Sequence, residues 1–172
     1  IEIRIKKIEE LLSKHQTEST IIFVPTKDFG LTISKHFGIP FHSADVSDVE
    51  RKKIEEDFAS QKIKTIVSTS TLAVGVNTPA DVVIIAGLRA GYYYMDYSLV
   101  KQMIGRAGRA GRGSGASGMC YILGDEIELS NLELKFDSFI TPPLEQYLLT
   151  LCLKPSSLQE LYRILCQSFW GN

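Results

Sequence analysis

Four strand-length stretches have an apolar centre without alternation: TIIFV (Thr20–Val24), KTIVS (Lys64–Ser68), DVVIIAG (Asp81–Gly87) and MCYIL (Met119–Leu123). A strand with one wet face alternates apolar and polar residues. Runs without alternation are apolar on both faces, so both faces must be covered. Segments of helical period lie between them. Ile5, Ile8 and Leu12 recur at that spacing near the start, and Phe29, Ile33 and Phe37 follow at i, i+4, i+8 with Gly38 as a stop signal. Ser47 and Glu50 form a capping-box pattern that opens a helix to about Phe58. IPFH (Ile39–His42) reads as a further short strand. A Tyr-rich loop, GYYYMDY, leads to a helix from about Asp96 to Arg106. Strands alternating with helices predict an α/β fold, a parallel sheet flanked by helices.

After about Ile140 the pattern becomes wholly helical. Ser157 and Glu160 make another capping box, and Leu158, Leu161, Leu165 and Phe169 share one stripe. The expected division is 1–140 for the α/β domain and 141–172 for the start of a second, helical domain. With 44% hydrophobic residues a sizeable core forms, so disorder is excluded as the general state. The net charge of −1 gives no global pull toward nucleic acid or membrane, so any anion site must be local. The three cysteines are scattered and lack metal-ligand spacing, which predicts no metal site and a reducing intracellular compartment. The apolar runs are too short to span a bilayer. The chain opens on Ile1 rather than Met and carries no visible signal peptide, which reads as a piece excised from a longer protein.

Two segments carry chemistry. QMIGRAGRAGRG, Gln102 to Gly113, sets Arg106, Arg109 and Arg112 among four glycines. Glycine lets backbone approach a ligand, and arginine offers a planar fork of donors that matches phosphate oxygens. A solvated basic helix end, favoured by the helix dipole, explains the same spacing equally well. The second segment, STSTLAVGVNTPA (Ser68–Ala80), follows a buried strand directly. The C-terminal ends of parallel strands border the ligand crevice. Thr69, Ser70 and Thr71 would offer hydroxyls and N–H groups to an anion there, and Asn77 an amide. A capped helix followed by a turn is the plainer reading of that segment alone. No G-x-x-x-x-G-K-[ST] loop is present, so any nucleoside triphosphate must be cradled by residues elsewhere.

Together the two segments are far more specific than either. TSTLAVGVNTPA resembles motif V, and QMIGRAGR motif VI, of the Ski2-like superfamily 2 helicases. IIFVPTK (Ile21–Lys27) is similar to motif IV, and HSADVSDVERKKIEEDF (His42–Phe58) to the family segment H-x-G-x-x-x-x-x-R-x-x-I-E-x-x-F. The resemblance covers roughly Ile21 to Leu123 and implies the second RecA-like domain of such a helicase. QSFWG near the end is similar to the helix that closes the winged-helix domain of the group, so 141–172 is expected to begin a winged-helix domain. Ala110 after GRAGR leans toward the Hel308, HELQ and polymerase-theta group.

The resemblance further implies a site shared between two domains. ATP with Mg2+ would sit between this domain and an N-terminal RecA-like domain that supplies the phosphate loop and magnesium ligands. Arg109 would be the arginine finger on the γ-phosphate and Arg106 its partner. Gln102 would organise the cleft, with Gly75 and Asn77 by the ribose and domain interface. Thr69 and Ser70 would grip the backbone of a single-stranded nucleic acid, with Thr26, Lys27 and His42 near the strand. The Hel308-like leaning favours DNA over RNA, work in DNA repair or recombination, and a nuclear or, in archaea, cytoplasmic location. The isolated chain is expected to be inactive, as half of a site.

Alternatives remain at this stage. A RecQ-type helicase has similar GRAGR patterns, although no cysteine-rich module follows Leu123. A non-catalytic docking module derived from a helicase would not need Arg106 and Arg109. Ala44–Asp45 stands where the family has glycine, leaving contacts there open. His42 reads equally as a strand contact or as a satisfied strand-end histidine. The Tyr92, Tyr93, Tyr94 and Tyr97 cluster reads as packing in preference to base stacking, Arg112 as a solvated loop charge, and Cys120 as core.

Overall fold

The structure, a computed structural model, describes residues 2–73, 78–108 and 118–137. The elements run α1 (Glu2–Lys14), β1 (Thr20–Phe23), α2 (Lys27–Phe37), β2 (Phe41–His42), α3 (Asp48–Ala59), β3 (Thr65–Ser68), β4 (Val82–Ile85), β5 (Arg89–Ala90), β6 (Tyr93–Tyr94), α4 (Tyr97–Ile104), β7 (Met119–Ile122) and α5 (Glu126–Asp137). A single 3-10 turn, Ser70–Leu72, follows β3. Residues Ile1–Leu132 form one compact unit, with Glu133–Asn172 grouped apart from it. The helical start of a second domain expected over 141–172 lies outside the described residues.

The main sheet has five strands in the order β2-β3-β1-β4-β7, and every pair is parallel. Parallel neighbours cannot be joined by tight turns, so the chain must cross over, and the crossing helices land on the faces. The strand sequences meet that demand residue by residue. Ile21 and Phe23, Ile66, Val83 and Ile85 point to one face, where Phe58 of α3 and Val100 and Met103 of α4 close the core. Ile22 and Val24, Val67, Val82 and Ile84 point to the other, against Ile8 and Leu11 of α1 and Phe29 and Ile33 of α2. Both layers are sealed: Ile21, Ile22, Ile66, Val67, Val83 and Ile84 are all at 0% exposure. Burying each such side chain stabilises the fold by about 1.5–3 kcal/mol.

Local signals set the helix ends. Thr26 caps α2, accepting from the Phe29 N–H at 3.3 Å, and Gly38 ends it in the left-handed region at φ 65°. Ser47 accepts from the Glu50 N–H to open α3. Asp96 caps α4, which stops at Ile104, so Arg106 lies past the helix rather than in it. The Tyr-rich segment holds more order than a loop: Arg89 and Ala90 pair antiparallel with Tyr94 and Tyr93. α5 is an element the periodicity of the sequence does not announce. Its signal is a reciprocal cap, in which Asp125 accepts from the Glu128 N–H at 2.8 Å and Glu128 accepts from the Asp125 N–H at 3.1 Å.

Candidate functional site

The register brings the C-terminal ends of the strands level. Phe23 stands opposite Ser68 and Ile85, and His42 opposite Ser68. The loops after β1, β2 and β3 therefore open on one edge, the edge that borders ligands in parallel sheets. Thr26 is half-buried there and committed to its cap. Lys27 is exposed and pairs with Asp45 at 2.6 Å. Asp45 belongs to the Ala44–Asp45 pair that stands where the family has glycine, and it answers the lysine across 18 residues.

The turn after β3 is built from hydroxyls. The Thr69 N–H donates to the His42 carbonyl at 3.2 Å, tying the turn to the end of β2. Ser68 Oγ donates to the Thr69 carbonyl at 2.8 Å. Thr69 and Thr71 hydroxyls lie 3.4 Å apart. Thr69 is half-buried and Ser70 exposed, so this turn faces solvent with small polar groups. Beneath it sits His42, only 2% exposed. Its Nδ1 is 2.8 Å from Thr71 Oγ1 and its Nε2 2.9 Å from Glu55 Oε1. Both ring nitrogens are thus engaged within the chain, and the side chain supports the turn from behind. Glu55 was missed in the sequence, although it is the glutamate of the I-E-x-x-F pattern and lies one helix away from His42.

The arginine segment is fastened to the same turn. Arg106 is buried, and its Nη2 donates to the Ala73 carbonyl at 2.7 Å, just past the hydroxyl turn. Two backbone bonds extend the seam: Ala80 N–H to the Arg106 carbonyl at 3.1 Å and Gly108 N–H to the Ala80 carbonyl at 2.9 Å. Gly108 holds φ 75°, a conformation that suits glycine, and a Cβ on Gly118 would collide with the Ala107–Gly108 backbone. Gln102 is exposed on α4, one turn before Arg106. Arg109, Gly75 and Asn77 lie outside the described residues. The Thr78 hydroxyl is buried without a hydrogen-bond partner among the described residues.

The neighbouring groups sort by burial. Tyr97 is packed at 6% exposure, whereas Tyr92 and Tyr93 stand out at 91% and 81%. Arg89 lies 6.0 Å from the centroid of Tyr94. Burial pushes the Cys120 thiol up to about 11, which keeps it protonated and inert at neutral pH. Among the described residues no cluster of carboxylates, histidines and cysteines is placed to hold a metal ion. None of the described helices is long and apolar enough to cross a membrane. Among the described residues the chemistry on offer at this edge is therefore that of donors: hydroxyls, a lysine and Arg106.

Residues 3–111 match the helicase conserved C-terminal domain. The chain belongs to that family. Similar proteins include the activating signal cointegrator 1 complex subunit 3 of Danio rerio, 39% identical over 59% of this chain and 7% of that protein. The ATP-dependent DNA helicase Hel308 of Thermoplasma acidophilum is 43% identical over 49% of this chain and 13% of its own length. The DExH-box ATP-dependent RNA helicase DExH14 of Arabidopsis thaliana is 40% identical over 58% and 5%. This helicase domain thus matches only a small part of each relative. The solved C-terminal domain of the DEAD-box protein Dbp5 has a TM-score of 0.65 at 23% identity, over 79% of both chains, and establishes the RecA-like fold.

Proposed function

We propose that this domain is the arginine-bearing half of the nucleotide cleft in an ATP-dependent nucleic-acid helicase, and that the same domain grips the backbone of a single strand. The carrying observation is the seam that ties the arginine segment to the hydroxyl turn, through Arg106 to Ala73 and Ala80 to Arg106 and Gly108. Arg106–Gly108, the residues directly before Arg109, are thereby joined to the turn that offers hydroxyls to phosphate. Nucleotide-driven movement of the arginines would move the strand contacts with them. ATP and its Mg2+ are the substrate of the complete enzyme. The residues here fit the triphosphate's negative charge, while the magnesium ligands would come from an N-terminal RecA-like domain.

Arg109 is the finger in this reading, a preorganised cation where charge develops on the γ-phosphate. Arg106, held by Ala73, fixes the segment that carries it, with Gln102, Gly75 and Asn77 around the nucleotide. Thr69, Ser70, Thr26 and Lys27 face the strand, and His42 stands behind them. Such contacts carry no base information, so the grip is independent of sequence. Single-stranded DNA is the strand we propose first, in repair or recombination, since the Hel308 likeness reaches the higher identity. The relative named for RNA makes the parallel RNA measurement necessary.

The test is Arg109→Ala in the full-length protein. The expected result is a fall in kcat far larger than any rise in KM, since arginine fingers are worth roughly 10³–10⁵ in kcat. A kcat within about threefold of the parent, only ~0.7 kcal/mol of barrier, would remove Arg109 from the role.

A further inference from the structure

The turn after β3 has more hydroxyl contacts than protons to fill them. Thr71 Oγ1 lies 2.8 Å from His42 Nδ1, 3.3 Å from the His42 carbonyl, 3.3 Å from Ser68 Oγ and 3.4 Å from Thr69 Oγ1. A hydroxyl donates only one proton. The Ser68 proton is already committed to the Thr69 carbonyl at 2.8 Å. Which way Thr71 donates is therefore decided at His42, and His42 is decided at Glu55. A carboxylate only accepts, so Nε2, 2.9 Å from Glu55, carries a hydrogen in both states of the ring.

With neutral His42, Nδ1 is a bare acceptor and takes the Thr71 proton. Thr71 then accepts from Thr69, whose hydroxyl proton turns inward and whose lone pairs face solvent. With His42 protonated, Nδ1–H donates to Thr71 instead. Thr71 can then turn its proton to the His42 carbonyl, where it still accepts from Thr69, or to Thr69, and this second arrangement, closed to it while His42 is neutral, releases the Thr69 proton outward as a donor. Among the described residues Glu55, from α3, is the charged group that touches the ring. β3 and the turn present only the hydroxyls of Ser68 and Thr71, and the nearby Lys27–Asp45 pair closes on itself at the surface.

We propose that the chain Glu55–His42–Thr71 is a positioning relay that sets the direction of the Thr69 hydroxyl, so that gripping a backbone phosphate and protonating His42 favour one another. The inference rests on Thr69 as a phosphate contact. The linkage is reciprocal: protonation tightens the strand, and the strand holds the proton. Affinity is therefore highest where His42 is protonated and falls as pH rises and the proton leaves. His42 touches no phosphate and acts only through Thr71.

The experiment is fluorescence anisotropy of end-labelled oligothymidylate, with oligouridylate in parallel, on the full-length protein without nucleotide, from pH 5.5 to 8.5. The parent should bind roughly three- to tenfold tighter at the acid end, the worth of one hydrogen bond. Thr71→Val, nearly the same shape, should flatten that profile, and Thr71→Ser should restore it. Glu55→Gln removes the charge that favours the imidazolium and should move the midpoint to lower pH. Melting temperatures establish that each variant is folded; if Thr71→Val fails that check, the Thr71→Ser and Glu55→Gln profiles still decide. Thr69→Ala separates the two claims. If it leaves affinity unchanged, the phosphate contact itself is wrong. If it weakens binding while the parent profile is flat, or while Thr71→Val keeps the full slope, the contact stands and the relay is overturned.

Discussion

The two ends of the sheet each hold a buried histidine set between a glutamate and a hydroxyl, and they use it differently. At the start of β1, His15 meets Glu18 through Nδ1 and the Tyr121 hydroxyl through Nε2 at 2.9 Å. Tyr121 donates in turn to Met119 Sδ, so the chain of contacts ends on a sulfur of the neighbouring β7 residue. Beside it, Asp81 accepts from both Ser19 N–H at 2.9 Å and Ser19 Oγ at 2.7 Å, and the Asp81 N–H returns to Ser19 Oγ at 3.0 Å. That end is closed on itself. At the far end His42 leads through Thr71 to Thr69, on a turn that faces solvent. The same three groups make a lock where the contacts terminate inside the chain, and a support where they continue to an open hydroxyl.

The comparison makes each end answerable to a different measurement. The largest effect should come from a lock at the far end. Glu128, 3% exposed, meets Arg4 at 2.5 Å and also caps α5. Glu128→Ala leaves the arginine without its partner and should cost about 3 kcal/mol in urea unfolding. Single-strand affinity of the folded protein should not change. A loss of affinity equal to the loss of stability would show that this end does not separate structure from binding.

Next is the closed end. Asp81→Ala removes an acceptor from two donors of Ser19 and should cost about 2 kcal/mol, again without a change in strand affinity. Should binding fall instead, the strand-start end would no longer be purely structural.

Lys27→Ala should do the reverse. Its pair with Asp45 is exposed on both sides and contributes under about 1 kcal/mol to folding. If Lys27 neutralises a strand phosphate, the slope of log affinity against log salt should shrink by about 0.7. Thr69→Ala should leave that slope alone, because a neutral hydroxyl releases no counterion. An unchanged slope in Lys27→Ala would take the lysine out of the interface.

The smallest effect concerns Cys120 on β7, between the two ends. Its thiol is raised from 9.0 to about 11, so the folded state keeps a proton that the unfolded state loses. Stability should therefore decline slightly as pH rises from 9.0 toward about 11, and a Cys120→Ser variant should not show that decline. A parent protein with equal stability across that interval would place the thiol in contact with water.

Much of the fold was legible because the signals are local. A run such as TIIFV has no face that tolerates water, whichever neighbours it finds, and Thr26, Gly38 and Ser47 mark helix ends through bonds spanning only a few residues. The hairpin of β5 and β6 and the helix α5 were not read, the first because two residues per strand are too few for a period. α5 lacked a sustained apolar stripe and announced itself only through the Asp125–Glu128 cap. At the candidate site, the motifs pointed to segments but not to the partners within the chain. Arg106 was legible as a cation among glycines, and its bond to Ala73 was not.

The sequence by itself determined that this chain makes a parallel sheet buried on both faces, with polar and arginine-rich segments following its strands and its fourth helix. Apolar runs, caps and glycine stops act within a few residues and need no other part of the chain. Only the tertiary structure decided which groups meet. Lys27 finds Asp45 across 18 residues, His42 finds Thr71 across 29, and Arg106 finds Ala73 across 33. Those distances are closed by strand register and crossover. His42 meets the hydroxyl turn because it pairs level with Ser68, and no local propensity encodes that.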